Sequence, residues 1–90
     1  MLTPVTSKQF HKDLKKAKKQ GKEIVKLKQI MALLVAEVPL PITNKDHKLT
    51  GIYSHHRECH ITSDWLLIYK ATKTELRFER TGSHSELFKK

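Results

Sequence analysis

The chain has 90 residues, a net charge of +9 and a single cysteine. This length allows one domain with a modest core, and the lone cysteine cannot form an internal disulfide, so we expect a reducing, cytoplasmic location. The longest apolar run, residues 30–35, is too short to span a membrane, and residues 1–10 lack the apolar core of a signal peptide. We therefore expect no membrane partner.

The positive charge is unevenly distributed along the chain. Residues 8–28 hold nine lysines and two acids, a net charge of +7 in that stretch. A positive electrostatic field attracts polyanions, so nucleic acid is the first partner to consider. An acidic protein would be attracted by the same positive charge.

The first forty residues predict a short strand followed by two helices. Residues 2–5 suit an edge strand, because Pro4 lacks the amide hydrogen that a central strand needs. Apolar residues then recur at helical spacing in two stretches, which are separated at Gly21 and end before Pro39. The two helices form a hairpin with one apolar side, and that side must cover another layer of structure.

From Pro41 onward the apolar period changes to that of strands. Residues 52–61 alternate imperfectly, residues 64–71 are a β-rich run, and residues 75–81 alternate clearly. Short connections predict an antiparallel meander with one face under the helical hairpin and the other face exposed. The predicted fold class is α+β, in a single domain of residues 1–90.

Metal and cysteine chemistry are weakly supported by the residue spacing. His55, His56, Cys59, His60 and His84 include good zinc ligands, but on a strand His56 and His60 face one side while His55 and Cys59 face the other. We therefore expect no metal and no cofactor. For the same reason His60 is badly placed to activate Cys59, which is predicted to be a small buried residue.

Cleavage of RNA without a metal fits the residue types better. This reaction needs a base for the 2′-hydroxyl proton, an acid for the leaving 5′-oxygen and a cation beside the phosphorane oxygens. Arg80 suits the last role, because a guanidinium can hold two phosphate oxygens at once. Trp65, Tyr69 and Phe88 are candidates for stacking on single-stranded bases, with a place in the core as the alternative for Trp65 and Tyr69.

Strand alternation conflicts with the role given to Arg80. It places Arg80 on the same side as Leu76 and Phe78, facing the core. A bulge or strand end near Gly82 would be needed to turn the guanidinium outward, and a buried, paired Arg80 would count against its phosphate role.

Three segments of the second half resemble one toxin family. DHKLTG at 46–51, RECHITSDWLLIY at 57–69 and RTGSHSELF at 80–88 resemble the YafQ branch of the RelE/ParE toxin superfamily, in the family's order and near its spacing. The resemblance implies a microbial RNase fold and metal-independent cleavage of mRNA in the A site of the 70S ribosome. It also implies neutralisation by a cognate antitoxin, with operator DNA contacted only through the antitoxin complex.

The resemblance also implies a set of site residues. The catalytic candidates are His47, His60, Asp64, Arg80 and His84. The candidates for substrate binding are Trp65, Phe88 and Lys45. We expect His84 to be the general acid and either Asp64 or His60 to be the general base. Arg80 then holds the phosphate, and His47 positions the substrate or shares the proton transfer.

Two features depart from the family pattern. Ser63 stands where a proline is common, and His55 and His56 replace a stretch that often carries glycine. We expect both places to be solvated turns.

Two other functions remain open from the sequence. A toxin of the same fold can act by binding a protein such as gyrase, as ParE relatives do, but that activity does not require the histidines and the aspartate. A non-catalytic RNA- or ribosome-binding module would need little more than the net charge of +9.

Overall fold

The computed structural model describes residues 1–88, which form three helices and five strands. In chain order these are β1 (Thr3–Thr6), α1 (Lys8–Lys19), α2 (Ile24–Val35), β2 (His47–Lys48), β3 (Arg57–Thr62), β4 (Trp65–Ala71), β5 (Glu75–Gly82) and α3 (His84–Leu87), with 3-10 turns at Ile42–Asn44 and Gly51–Tyr53. The predicted α+β class is confirmed. The strand expected over residues 52–61 is shorter, because its first part forms the second 3-10 turn.

The five strands lie in one sheet in the order β1-β5-β4-β3-β2. The pairs β2–β3, β3–β4 and β4–β5 are antiparallel, as the short connections predict. Strand β1 instead pairs parallel with β5, so the sheet is mixed rather than wholly antiparallel. A parallel pair cannot be closed by a tight hairpin, and here most of the chain, including both long helices, separates the two strands.

Helices α1 and α2 cover one face of the sheet and form the main core with it. The hydroxyl of Ser7 caps α1 by accepting a hydrogen bond from the Phe10 amide at 2.9 Å. The apolar sides of both helices are buried against β3, β4 and β5, while the lysines of α1 stay exposed. The main core contains Phe10, Ala17, Leu27, Ile30, Leu34, Cys59, Trp65, Leu67, Tyr69, Leu76 and Phe78.

Strand β5 contains a bulge that changes which way its residues face. Tyr69 pairs with Phe78, whereas Ile68 pairs with Arg80, so Glu79 is an extra residue on β5. A bulge of this kind reverses the alternation for the residues after it. Phe78 therefore lies in the main core, while Arg80 shares the opposite face with Ile68. Simple alternation was wrong for Arg80, and the bulge lies at Glu79 rather than near Gly82.

The face of the sheet opposite α1 and α2 is partly covered, whereas the sequence had predicted that it is exposed. Leu66, Ile68 and Leu87 form a second small buried cluster, and Leu49, Tyr53 and Phe88 pack against it. This cluster supports α3 and the 3-10 turn at Gly51–Tyr53. Within residues 1–88, no helix has the length and apolar character needed to cross a bilayer.

Candidate active site

Three histidines from separate elements meet on the face of the sheet that carries α3. The ring centroids of His60 on β3 and His84 on α3 are 5.6 Å apart, and His47 on β2 is 6.4 Å from His60. The strand register explains this meeting, because His60 pairs with Leu66 on β4 and Leu66 pairs with Gly82 at the end of β5. The chain then turns directly into His84. The structure thus brings together three of the predicted catalytic residues.

The short helix that carries His84 is held in place by a capping box and by contacts between Glu86 and two residues near the end of α1. Ser83 and Glu86 form a capping box, in which Glu86 Oε1 accepts a hydrogen bond from the Ser83 amide at 2.9 Å. Glu86 Oε2 lies 2.6 Å from Nζ of Lys16 on α1 and also accepts a hydrogen bond from Gln20, the residue after that helix. The hydrogen bond from Lys16, together with that from the Ser83 amide, lowers the pKa of Glu86 to about 2. Residues 83–88 are therefore part of the folded structure.

Asp64 orients the imidazole of His84. Its Oδ1 lies 3.3 Å from the backbone nitrogen of His84 and 3.3 Å from His84 Nδ1. The backbone hydrogen bond, and after it the contact with the imidazole, lower the pKa of Asp64. Because a carboxylate can only accept, this contact requires a proton on Nδ1 of His84. A lowered pKa also makes Asp64 a weaker base.

Glu58 lies at the centre of the cluster, although the sequence interpretation did not include it in the site. Its side chain is buried, with Oε2 at 3.1 Å from His47 Nε2 and 3.7 Å from His60 Nε2. Oε1 has no hydrogen-bond partner among residues 1–88. An unpaired buried carboxylate oxygen costs about 1–3 kcal/mol, a cost more often retained at functional sites. The available signal was its spacing, because Glu58 and His60 are two apart on β3 and face the same way.

His47 is positioned by the residues around it. The preceding Asp46 accepts hydrogen bonds from Arg57 Nε at 2.9 Å and from the Tyr69 hydroxyl at 2.6 Å. These bonds fix β2 against the sheet, and His47 Nδ1 lies 2.6 Å from the Lys45 carbonyl oxygen. The side chain of Lys45 is exposed beside this strand. Lys45 therefore adjoins the cluster, where it was predicted to bind substrate.

Arg80 is half-buried and paired with an acid that the sequence did not connect to it. Its Nε and Nη2 donate to the two carboxylate oxygens of Asp13 on α1, at 2.9 and 3.1 Å. The Thr81 amide donates to the same carboxylate at 3.2 Å. The side chain of Arg80 is 25% exposed, and a guanidinium has further N–H donors beyond the two that Asp13 takes. The pairing with Asp13 counts against the predicted phosphate role of Arg80, which depends on these further donors and stays a prediction.

Phe88 and Trp65 differ sharply as candidates for binding a base. Phe88 is partly exposed, with its ring centroid 6.3 Å from that of His84. Trp65 is only 2% exposed, and its indole N–H donates to the Thr81 hydroxyl at 2.9 Å in the core. So small an exposed area favours the core as the place of Trp65 and leaves its substrate role a prediction. Tyr69 is buried in the same core.

The remaining histidines and the cysteine lie outside the cluster. His56 is half-buried and its Nε2 lies 3.1 Å from Glu79 Oε2, so it is not the solvated turn residue that we expected. His55 is exposed at a left-handed backbone position with φ of 70°. Cys59 is buried as predicted, and burial raises the pKa of its thiol to about 12, which leaves it unreactive.

Side chains in the cluster also form a potential metal-binding group. Ligand atoms of Glu58, His60 and His84 all lie within 4.8 Å of one another. One carboxylate and two imidazoles suit zinc or copper. The alternation of residues 55–60 predicted no compact group, and the candidate ligands included His60 and His84 but not Glu58, which completes this one.

Comparison with known proteins identifies the family. The family model described as "Bacterial toxin of type II toxin-antitoxin system, YafQ" matches residues 2–89. The chain belongs to this family. The mRNA interferase toxin YafQ of Escherichia coli K12 is 49% identical over 83 residues, which cover 91% of this chain and 90% of that protein.

Solved structures of the YafQ family share the fold. A chain of the E. coli DinJ–YafQ toxin–antitoxin complex matches with a TM-score of 0.91 and 46% identity, covering 97% of each chain. A metal-bound toxin from Helicobacter pylori matches with a TM-score of 0.92 and 46% identity, covering 98% of this chain and 100% of the other. The resemblance seen in the sequence and the fold expected from it are thereby confirmed.

Proposed function

We propose that this chain is an mRNA interferase, a toxin that inhibits translation by cutting mRNA in the A site of the translating ribosome. The proposal rests on the surroundings of His84. Its imidazole contacts Asp64, and its ring centroid lies 5.6 Å from that of His60. The name of the E. coli relative, mRNA interferase toxin, supports it. The net charge of +9 supports binding to the phosphate backbone of RNA.

The proposed chemistry is a transphosphorylation by two histidines. His60 takes the proton of the 2′-hydroxyl, and the 2′-oxygen attacks the adjacent phosphorus. As the bond from phosphorus to the 5′-oxygen breaks, protonated His84 gives its Nε2 proton to that oxygen. The products are a 2′,3′-cyclic phosphate and a 5′-hydroxyl. His60 is the better base, since Asp64 has a lowered pKa and contacts His84 instead.

The other groups of the cluster support these two proton transfers. The free N–H donors of Arg80 stabilise the negative charge that develops on the phosphorane oxygens. Glu58 lies between His47 and His60 and stabilises either imidazole when it is protonated. His47, at the edge of the cluster, positions the substrate together with Lys45.

We further propose that the reaction uses no metal ion. A metal bound by Glu58, His60 and His84 would occupy the imidazole nitrogens that must carry protons. Added Zn²⁺ or Cu²⁺ should therefore inhibit cleavage, and a chelator should leave cleavage unchanged. Loss of cleavage on chelation would contradict this part of the proposal.

A cognate antitoxin is the proposed protein partner. The E. coli structure is described as a DinJ–YafQ toxin–antitoxin complex, and we propose that an antitoxin of this kind neutralises the present chain in the cytoplasm. The complex, rather than the toxin alone, would then contact operator DNA.

The direct test is cleavage of mRNA in a translating extract. Wild type, His84→Ala and Arg80→Ala would be compared with His11→Ala, which removes an exposed histidine on α1 outside the cluster. We expect cleavage by wild type and His11→Ala, and a loss of about 100-fold or more for His84→Ala. Equal cleavage by all four proteins would contradict the site. DNA damage without mRNA cuts would instead support a gyrase-binding toxin, and ribosome binding without cuts would support a non-catalytic module.

A further inference from the structure

A depression beside the histidine cluster is lined by aromatic, aliphatic and cationic side chains, together with one acid, Glu86. It lies between the 3-10 turn at Gly51–Tyr53 and α3, and its volume is about 620 Å³. The lining residues that could contact a ligand through apolar surface, a ring or a charge include Ile52, Tyr53, Phe88 and Arg80. This size falls within the range of small-ligand sites in proteins.

Tyr53 and Phe88 form a fixed aromatic corner in this depression. Their ring centroids are 5.8 Å apart and their planes meet at 86°. Both rings are half-buried, because one side of each packs on the small cluster of Leu66, Ile68 and Leu87. Tyr53 also contacts the edge of His56, with centroids 6.0 Å apart. The rings are therefore held in place before any ligand arrives.

The depression is continuous with the histidine cluster. Phe88 lies one helical turn after His84, and their ring centroids are 6.3 Å apart. Arg80 faces the depression from β5, opposite Ile68. A chain of phosphates that reaches His84 and Arg80 would carry its neighbouring base to the corner of Tyr53 and Phe88.

Ile52 lies at the rim of the depression and exposes apolar surface to solvent. Its side chain is 89% exposed, on a turn that Gly51 begins with a φ of 72°. Covering an isoleucine of this kind stabilises a complex through removal of apolar surface from water. Ile42, in the other 3-10 turn, is 95% exposed but does not line this depression, which makes it a matched control.

We propose that this depression binds a nucleobase of single-stranded mRNA next to the cleaved phosphate, with the base stacked on Tyr53 and covered by Ile52. The inference rests on the proposed function, because it assumes an RNA substrate at the histidine cluster. An aromatic ring and a guanidinium side by side match a base and its phosphate, and base–aromatic stacking tolerates any base. An acidic segment of the antitoxin is the competing occupant, and it would use Arg80 without needing the aromatic corner.

The test is binding of a short RNA that cannot be cleaved. A trinucleotide with 2′-O-methyl groups would be titrated into the full chain while amide NMR signals are recorded. We expect the signals of Ile52, Tyr53 and Phe88 to shift. Tyr53→Leu keeps apolar packing but removes the ring, so affinity should fall about tenfold, while Tyr53→Phe should stay within about twofold. Ile52→Ala should weaken binding, and Ile42→Ala should not.

The outcomes separate this site from the proposed function. If wild type cuts mRNA but the trinucleotide leaves the signals of the depression unchanged, the base site is wrong and the nuclease stands. If the trinucleotide binds there but wild type never cuts mRNA, the proposed function is wrong and the base site stands. Equal affinity of Tyr53→Leu and Tyr53→Phe would overturn stacking. Shifts caused only by the cognate antitoxin would assign the depression to the protein partner.

Discussion

Asp13 on the first helix accepts two hydrogen bonds from Arg80 on the last strand, at 2.9 and 3.1 Å. This ion pair joins α1 to the strand that leads into the histidine cluster. The bulge at Glu79 places Arg80 on the same face as Ile68, and from there its guanidinium reaches Asp13. The hydrogen bonds that Arg80 donates to Asp13, opposed by burial, raise the pKa of Arg80 above its ordinary value, so the guanidinium stays charged.

Replacing Asp13 should affect both stability and cleavage. In Asp13→Asn the guanidinium loses its charged partner, so we expect unfolding to require about 1–3 kcal/mol less and cleavage to fall about tenfold. Urea unfolding and the translation-coupled assay measure the two effects. Glu23→Gln removes an exposed acid from the same helical hairpin and should change neither. Cleavage that is unaffected by Asp13→Asn at equal folding would show that Arg80 needs no such support.

The contact between His84 and Asp64 predicts a titration shift. The pKa of Asp64 lies below its usual range because of the His84 backbone N–H first and the imidazole second. His84→Gln keeps the backbone donor and removes the imidazole, so the pKa of Asp64 should rise part of the way back. Carboxyl NMR shifts followed against pH would measure this, with His11→Gln as the control. A pKa that stays the same or falls would mean that the imidazole does not stabilise this carboxylate.

Trp65 should behave as a core residue and not as part of the substrate site. Trp65→Phe leaves the Thr81 hydroxyl without its indole donor, so we expect the free energy of unfolding to fall by about 1–3 kcal/mol. Cleavage per folded molecule should stay at the wild-type level. Phe88→Leu should show the reverse, with little loss of stability and weaker cleavage. A stable but inactive Trp65→Phe protein would restore the substrate role that the sequence suggested.

Glu86 predicts a pH dependence of stability. Its pKa is lowered from 4.5 to about 2 in the folded state, so its contribution is complete above pH 4.5 and is lost as the pH falls toward 2. Glu86→Gln should be less stable than wild type at pH 7 by about 1 kcal/mol, because the bonded carboxylate is partly exposed. The difference should disappear near pH 2. Glu75→Gln, at an exposed acid on β5, should show no such convergence.

The helices and the longer strands were predictable because their signal is local. Apolar residues at helical spacing located α1 and α2, a run of β-forming residues located β4, and alternation located β5. Strand β2 has only two residues, which is too short for any period to show. The parallel pairing of β1 with β5 and the bulge at Glu79 depend on contacts between distant segments, which local patterns do not encode.

The site was predictable where a motif carried it and not where packing decided it. His47, His60, Asp64 and His84 were found through the family segments, and the structure places them together. Asp13 was read only as one acid among many lysines, since nothing local links it to Arg80. Glu58 was visible from its spacing with His60, but its burial between two histidines follows from the register of β2 and β3.

The central claim is that His84 cleaves mRNA as a proton donor, and mapping of mRNA 5′ ends tests it most directly. Total RNA would be sequenced from its 5′ ends after brief induction of wild type, His84→Ala or His11→Ala in growing cells. We expect wild type and His11→Ala to create new 5′-hydroxyl ends inside coding regions, in phase with the reading frame, and His84→Ala to create none. The same ends in cells that express His84→Ala would contradict the account.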